Sequence, residues 1–169
     1  MATAGKNLSQ FDAAQLPNGA RFRVGIVVSE WNSEITHALR DGAIEVLRAA
    51  GVPDDRVVVH EVPGAFELPL GVQWLLNAKH PEQEPCDAVI AVGAVIRGET
   101  AHFDFVCQAA SQGVLRVGLD SGKPAIFCVL TDDTIEQSRA RSGGVHGNKG
   151  VEAAVACLKM LALKHAIGD

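Results

Sequence analysis

Apolar, β-branched runs alternate along this chain with segments whose apolar residues recur every three or four positions, and that alternation leaves few folds open. Phe22 to Val28 reads as a buried strand. Asn32 and Ser33 follow as helix caps, with Glu34 in the first turn, where a carboxylate suits the positive end of the helix dipole. Ile35, Ala38, Leu39, Gly42, Ala43, Val46, Leu47 and Ala50 then form one apolar stripe, which Gly51 and Pro53 bring to an end.

The same grammar continues. Val57 to Val62 predicts strand two, followed by a helix from near Ala65 to about Ala78 in which Pro69 is tolerable only in the first turn. Ala88 to Val92 predicts strand three, and a helix from about His102 carries Val106, Ala109, Ala110, Gly113, Val114 and Val117 on one face. Ala125 to Leu130 predicts strand four. A polar helix over Ile135 to Arg141, a glycine-rich hinge and a last helix with Val151, Ala154, Val155, Leu158, Leu161 and Ala162 on one face complete the chain. Continuous apolar strands joined through amphipathic helices imply right-handed crossovers and a sheet covered on both faces. The expected fold is therefore α/β, a three-layer α/β/α sandwich around a mainly parallel four-stranded sheet, with residues 21–169 as one domain. Residues 1–20 hold few apolar side chains and a Pro17-Asn18-Gly19 turn, so they read as an arm that either frays or becomes ordered on a neighbouring subunit.

In open parallel sheets ligands bind beyond the carboxyl ends of the strands, which directs attention to three loops. The first is Ser29-Glu30-Trp31-Asn32, whose Trp31 offers a flat stacking face; core packing is the commoner fate of Trp. The second runs from Val62 to Glu67, and Glu67 suits hydrogen bonding to a polyol as well as simple dipole compensation. The third, Gly93 to His102, has the G-x4-G spacing and Thr100 of a phosphate-binding loop, but Glu99 occupies the lysine position and would repel the β and γ phosphates of a nucleotide. A single phosphate held by backbone N–H groups of Gly98-Glu99-Thr100 remains compatible with it. His102 beside this loop has the imidazole chemistry for proton transfer near neutrality, and a histidine merely decorating the helix is the rival reading.

A second glycine-rich stretch runs from Gly143 to Gly150, with Asn148 as N-cap of the last helix. Lys149 at that helix start is unfavourable to the dipole, so its ammonium is expected to answer to a ligand or a partner. Arg139, Arg141 and Lys149 together could serve one anionic substrate or form a solvated face.

Charge and cysteine usage exclude several classes. A net charge of −5 with no Lys/Arg run argues against nucleic acid as a partner, since neutralising several phosphates needs a basic face. Cys86, Cys107, Cys128 and Cys157 form no CxxC pair and there is no His cluster at zinc-ligand spacing, so no metal site is expected. Cys107 and Cys128 read as small buried hydrophobes. No secretory signal is evident and no apolar stretch approaches the ~20 residues that span a bilayer, so a cytoplasmic protein with no membrane partner is expected.

Taken together, Trp31-Asn32-Ser33-Glu34-Ile35-Thr36, Val62-Pro63-Gly64-Ala65-Phe66-Glu67-Leu68-Pro69, Gly93-Ala94-Val95-Ile96-Arg97-Gly98-Glu99-Thr100-Ala101-His102-Phe103-Asp104, Leu130-Thr131-Asp132-Asp133-Thr134-Ile135-Glu136-Gln137 and Gly147-Asn148-Lys149-Gly150 resemble the 6,7-dimethyl-8-ribityllumazine synthase family from about Arg21 onward. The resemblance implies a flavodoxin-like winding of the sheet and a transferase of riboflavin biosynthesis. Its substrates would be 5-amino-6-(D-ribitylamino)uracil and 3,4-dihydroxy-2-butanone 4-phosphate, with no metal or redox cofactor. It implies proton transfer by His102, phosphate held by Glu99 and Thr100 with Arg141 as countercharge, and pyrimidine stacking on Trp31 beside Asn32. Ala65, Phe66 and Glu67 would hold the ring and ribityl chain, and Ala94, Val95 and Ile96 would read the uracil edge. Phe127, Arg141 and Lys149 match positions delivered by the adjacent subunit.

Many members of that family have Phe where Trp31 stands, so a larger π-face and appreciable riboflavin binding are expected here. The resemblance also implies a homopentamer. The short, uninterrupted Arg141 to Gly150 hinge favours an icosahedral 60-mer, with pentamer and decamer left open, as is an enclosed riboflavin synthase. Two rivals stand beside it: a non-catalytic flavin- or lumazine-binding shell protein, which His102, Arg141 and Lys149 disfavour, and a nucleotide-binding α/β domain, which Glu99 and the lack of a G-x-G-x-x-G after strand one disfavour.

Overall fold

In β1 (Val24–Ser29) every position is buried, as a strand must be when it lies inside a parallel sheet with helices on both faces. The computed structural model describes residues 9–78 and 84–168. After β1 come α1 (Ser33–Ala49), β2 (Val57–Val62), α2 (Leu68–Leu76), β3 (Ala88–Ile96), α3 (His102–Ser121), β4 (Ala125–Asp132), α4 (Ile135–Arg141), a small hairpin β5 (Ser142–Gly144) and β6 (Gly147–Asn148), and α5 (Lys149–Ile167). The main sheet has the order β2-β1-β3-β4 and every pairing in it is parallel.

Alternation along the strands divides the core in two. Ile26, Val28, Ile90 and Val92 face α1 and α5, together with Leu39, Val46, Leu47 and Leu158. Val27, Val89 and Ala91 face the opposite way, toward Leu68, Val72 and Leu76 of α2 and Val114 of α3. Each buried Leu or Ile contributes about 1.5–3 kcal/mol, so these two seams carry the fold. α5 begins hard against α1: a Cβ on Gly150 would sit 1.8 Å from the Leu39 carbonyl oxygen, and only glycine permits that approach.

Several expectations need correction. β1 starts at Val24 and β3 and β4 run on to Ile96 and Asp132, because Val95 and Ile96 continue to pair with Thr131 and Asp132 after the apolar pattern has faded. α2 begins at Leu68 rather than near Ala65; residues 64–67 form a turn, and Pro69 lies in the first helical turn, where no N–H is needed. β2 is an edge strand with Val59, His60 and Glu61 exposed, so it is covered less than its valines suggest. The stripe on α3 omitted Phe103, which is buried, while Val106 and Val117 are only partly so. The glycine-rich hinge is the hairpin, closed between Ser142 and Asn148 and between Gly144 and Gly147.

Of the amino-terminal arm, residues 1–8 lie outside the described residues. Phe11 and Leu16 pack against the α1–α5 side of the core, and Gly19 N–H donates to the Ala50 carbonyl at 2.8 Å.

Candidate active site

Parallel strands deliver their carboxyl-end loops to one edge of the sheet, and there a cavity of about 670 Å³ opens. The β1–α1 turn contributes Trp31 and Asn32, the β2–α2 turn Gly64, Ala65, Phe66 and Glu67, the end of β3 Ala94, Val95 and Ile96, and α3 His102 and Val106. Nine of these residues are ones the sequence singles out. Gly64 and Val106 were missed; Val106 follows His102 by one helical turn and so shares its face, a signal that was available.

Trp31 is 73% exposed and Phe66 61%, so both rings offer free apolar surface at the mouth. Gly64 stands between two candidate groups: a Cβ there would lie 3.1 Å from Glu67 Oε2 and 3.5 Å from Trp31 Cδ1. A flat ring and a hydroxyl acceptor are thereby side by side. Asn32 stands at the N-cap position of α1, where its carbonyl accepts from the N–H groups of Ile35 and Thr36, but its side chain makes no capping bond. Its backbone is in the left-handed region at φ 59° and its side-chain amide donates to the Ala94 carbonyl at 2.9 Å, which ties the first loop to the third. Short polar side chains tolerate that backbone better than others do. The Ala94 oxygen keeps a second lone pair for a ligand.

Gly98, Glu99 and Thr100 are exposed and outside the cavity wall. The helix opens after them, at His102, and His102 N–H donates to Thr100 Oγ1 at 3.4 Å, so imidazole and loop adjoin. Nothing lies within 4 Å of the place a Gly98 Cβ would take, which leaves the loop open to a ligand. Phe127, Arg141 and Lys149 do not reach this cavity within one subunit. Phe127 is exposed on β4. Arg141 donates from Nη1 to the Gln137 carbonyl at 2.9 Å and, among the described residues, pairs with no carboxylate. Arg139 is engaged otherwise, since its Nε and Nη2 grip both oxygens of Glu34 at 3.0 and 2.9 Å and hold that carboxyl below its ordinary range.

Lys149 needs no outside partner to offset the helix dipole, because its ammonium is ion-paired with Glu152 one turn along α5. Asn148 caps that helix as expected, accepting from Gly150 N–H at 2.7 Å, and its amide also donates to the Ala38 carbonyl at 2.8 Å. Burial pushes the thiols of Cys128 and Cys157 up to about 12, so they are packing groups rather than nucleophiles. Cys107, grouped with Cys128 by its sequence, is only partly buried. Among the described residues no three His, Cys, Asp or Glu side chains gather as a metal site would require, and no helix is long and apolar enough to cross a membrane.

Residues 21–165 match the family model described as 6,7-dimethyl-8-ribityllumazine synthase. The chain belongs to the lumazine synthase family. Relatives that carry the name 6,7-dimethyl-8-ribityllumazine synthase include one from Christiangramia forsetii, 52% identical over 164 residues that cover 97% of this chain and 95% of the relative. One from Flavobacterium johnsoniae is 51% identical, covering 95% and 82%, and one from Porphyromonas gingivalis is 48% identical, covering 97% and 99%. In this lumazine synthase family member the matched stretch contains the whole cavity and leaves only the arm and the end of α5 outside.

Proposed function

We propose that this chain condenses 5-amino-6-(D-ribitylamino)uracil with 3,4-dihydroxy-2-butanone 4-phosphate to give 6,7-dimethyl-8-ribityllumazine, phosphate and water, in riboflavin biosynthesis. The observation that carries the reading is the convergence of a stacking ring, a carboxylate, the backbone at the end of β3 and an imidazole on one cavity of about 670 Å³ in a chain of this family. That volume is within the range of pockets for small molecules.

The pyrimidine stacks on Trp31 next to Asn32, its edge read by Ala94, Val95 and Ile96, with the ribityl chain along Ala65, Phe66 and Glu67. Phosphate lies on the backbone of Glu99 and Thr100. The free amine attacks the ketone and water leaves to form an imine; a proton is then removed next to it as the C–O bond to phosphate breaks, leaving an enol that tautomerises to a methyl ketone; the ribitylamino nitrogen adds to that ketone and a second water leaves as the ring closes. The steps are carbonyl additions, losses of water, one elimination of phosphate and the proton transfers that accompany them, with no net oxidation or reduction, so neither metal nor redox cofactor is required. His102 moves the protons, a role worth roughly 10² to 10⁴ in rate.

The site is completed by the adjacent subunit, which supplies Phe127, Lys149 and the phosphate countercharge Arg141. Supporting this are the separation of those three residues from the cavity of their own subunit and the exposed apolar side chains Leu70 and Trp74 of α2 and Leu115 and Leu119 of α3, a surface suited to another copy of the chain. The assembly is a pentamer built up to a 60-mer, with room for an enclosed riboflavin synthase. Four free thiols suit a cytoplasmic setting.

Mixing the two substrates and following lumazine absorbance, then repeating with His102→Ala and Arg141→Ala, tests the reaction; no lumazine from the unaltered protein would refute it. Sedimentation tests the assembly, and five subunits alone at working concentration would refute the shell.

A further inference from the structure

Arg97 stands between β3 and the Gly98–Thr100 loop, where three elements meet. Its backbone N–H donates to the Asp132 carbonyl at 3.0 Å. Its Nε donates to Asp133 Oδ1 at 2.7 Å, its Nη1 reaches Asp104 Oδ1 at 3.4 Å, and its guanidinium carbon lies 4.1 Å from the centre of the Phe103 ring. Phe103 and Asp104 follow His102 directly in the first turn of α3. Asp133 leads into α4, where its N–H donates to Gln137 Oε1 at 2.9 Å beside the Thr134 capping box. One guanidinium therefore ties the start of the loop both to the helix that carries His102 and to the neighbouring strand-to-helix turn.

Stability does not account for this arrangement. The side chains of Arg97, Asp104 and Asp133 are 45%, 55% and 66% exposed, and ion pairs so open to water contribute little to stability. What the contacts do fix is geometry, because a planar fork held by two carboxylates and stacked on a buried ring has one orientation. They also fix charge. Without the cation, Asp104 and Asp133 would face an incoming phosphate unneutralised, beside a loop that already carries Glu99.

We propose that Arg97 is the positioning residue of the phosphate loop: by bridging Asp133 and Asp104 above Phe103 it holds Gly98–Thr100 against the first turn of α3 and sets the separation between bound phosphate and His102. The inference rests on the reading of this loop as the phosphate site.

The test compares the full-length assembled protein with Arg97→Ala, Arg97→Lys and Asp133→Asn, measuring kcat, KM for each substrate and inhibition by inorganic phosphate. Arg97→Ala raises both KM for the ketose phosphate and the inhibition constant of phosphate by about tenfold or more and lowers kcat, with pyrimidine KM little changed, since misplacing a bound group by an ångström is enough for such losses. Arg97→Lys keeps the charge without the fork and recovers phosphate binding only in part. Asp133→Asn, which leaves the arginine in place, shifts the same constants in the same direction and serves if Arg97→Ala fails to assemble. Phosphate inhibition unchanged in these variants, or KM rising equally for both substrates, overturns the proposal. If phosphate does not compete with the ketose phosphate even in the unaltered protein, the loop reading itself falls and takes this inference with it.

Discussion

The side-chain amide of Asn32 donates to the carbonyl of Ala94 at 2.9 Å, joining a residue at the start of α1 to one near the end of β3 across 62 positions of sequence. Both line the cavity, so this bond sets the distance between the Trp31 ring and the backbone that would read the pyrimidine edge.

Replacing Asn32 separates the bond from the backbone it accompanies. Asn32→Gly keeps the left-handed conformation and loses only the tether, lowering stability by about 1 kcal/mol and raising pyrimidine KM with ketose phosphate KM unchanged. Asn32→Ala adds about 1–2 kcal/mol of backbone strain. Denaturant titration at fixed protein concentration and steady-state kinetics check both; equal stability of the two variants would contradict the assignment.

Arg139 and Arg141 sit two residues apart and should behave oppositely. Arg139→Ala breaks a half-exposed pair with Glu34 and leaves the kinetic constants nearly unchanged. Arg141→Ala removes a charged contact worth about 1.5–3 kcal/mol, so KM for the ketose phosphate rises about tenfold to a hundredfold. Similar kinetic losses in both variants would dismiss the distinction.

Trp31 and Trp74 are both exposed, but only Trp31 belongs to the cavity. Riboflavin should therefore quench indole fluorescence in the unaltered protein, and Trp31→Phe should abolish most of that quenching while Trp74→Phe preserves it. Absence of quenching at high micromolar riboflavin would remove flavin stacking from the account.

Cys128 and Cys157 make stability fall in alkali. Both thiols titrate ordinarily at 9.0 and are pushed by burial to about 12, so between those values the unfolded chain has lost protons that the folded one retains. Their stabilising contribution is fully present below the ordinary value and declines above it, by on the order of 1 kcal/mol per pH unit for each thiol. Chemical denaturation from pH 8 to 11 measures the slope. Cys128→Ala with Cys157→Ala should flatten it; an unchanged slope would assign it to other groups.

Much of this was legible because apolar periodicity reports burial, and the paired seams on the sheet are burial patterns. Val57–Val62 and Ile135–Arg141 fall where their residues place them, the latter because Thr134 and Gln137 form a capping box. The ends of β3 and β4 were not legible, since Thr131 and Asp132 join the ladder through pairing with another strand rather than through their own character. Asn32 holds the N-cap position its sequence suggests, but the tether its side chain makes was not legible for the same reason: the partner is remote in sequence. The cavity residues came through well because parallel strands send their following loops to one edge. Lys149 at a helix start is balanced within its own helix, because Glu152, its ion-pair partner, stands one turn on.

The central claim is a site shared between adjacent subunits, with His102 from one and Arg141 from the next. Co-assembling His102→Ala with Arg141→Ala subunits, after confirming mixed particles by mass, tests it directly through lumazine absorbance. Two separately impaired variants should regain activity at roughly one site in four, where an intact His102 meets an intact Arg141 across a subunit boundary. Mixed particles no more active than the average of the two parents would contradict the shared site.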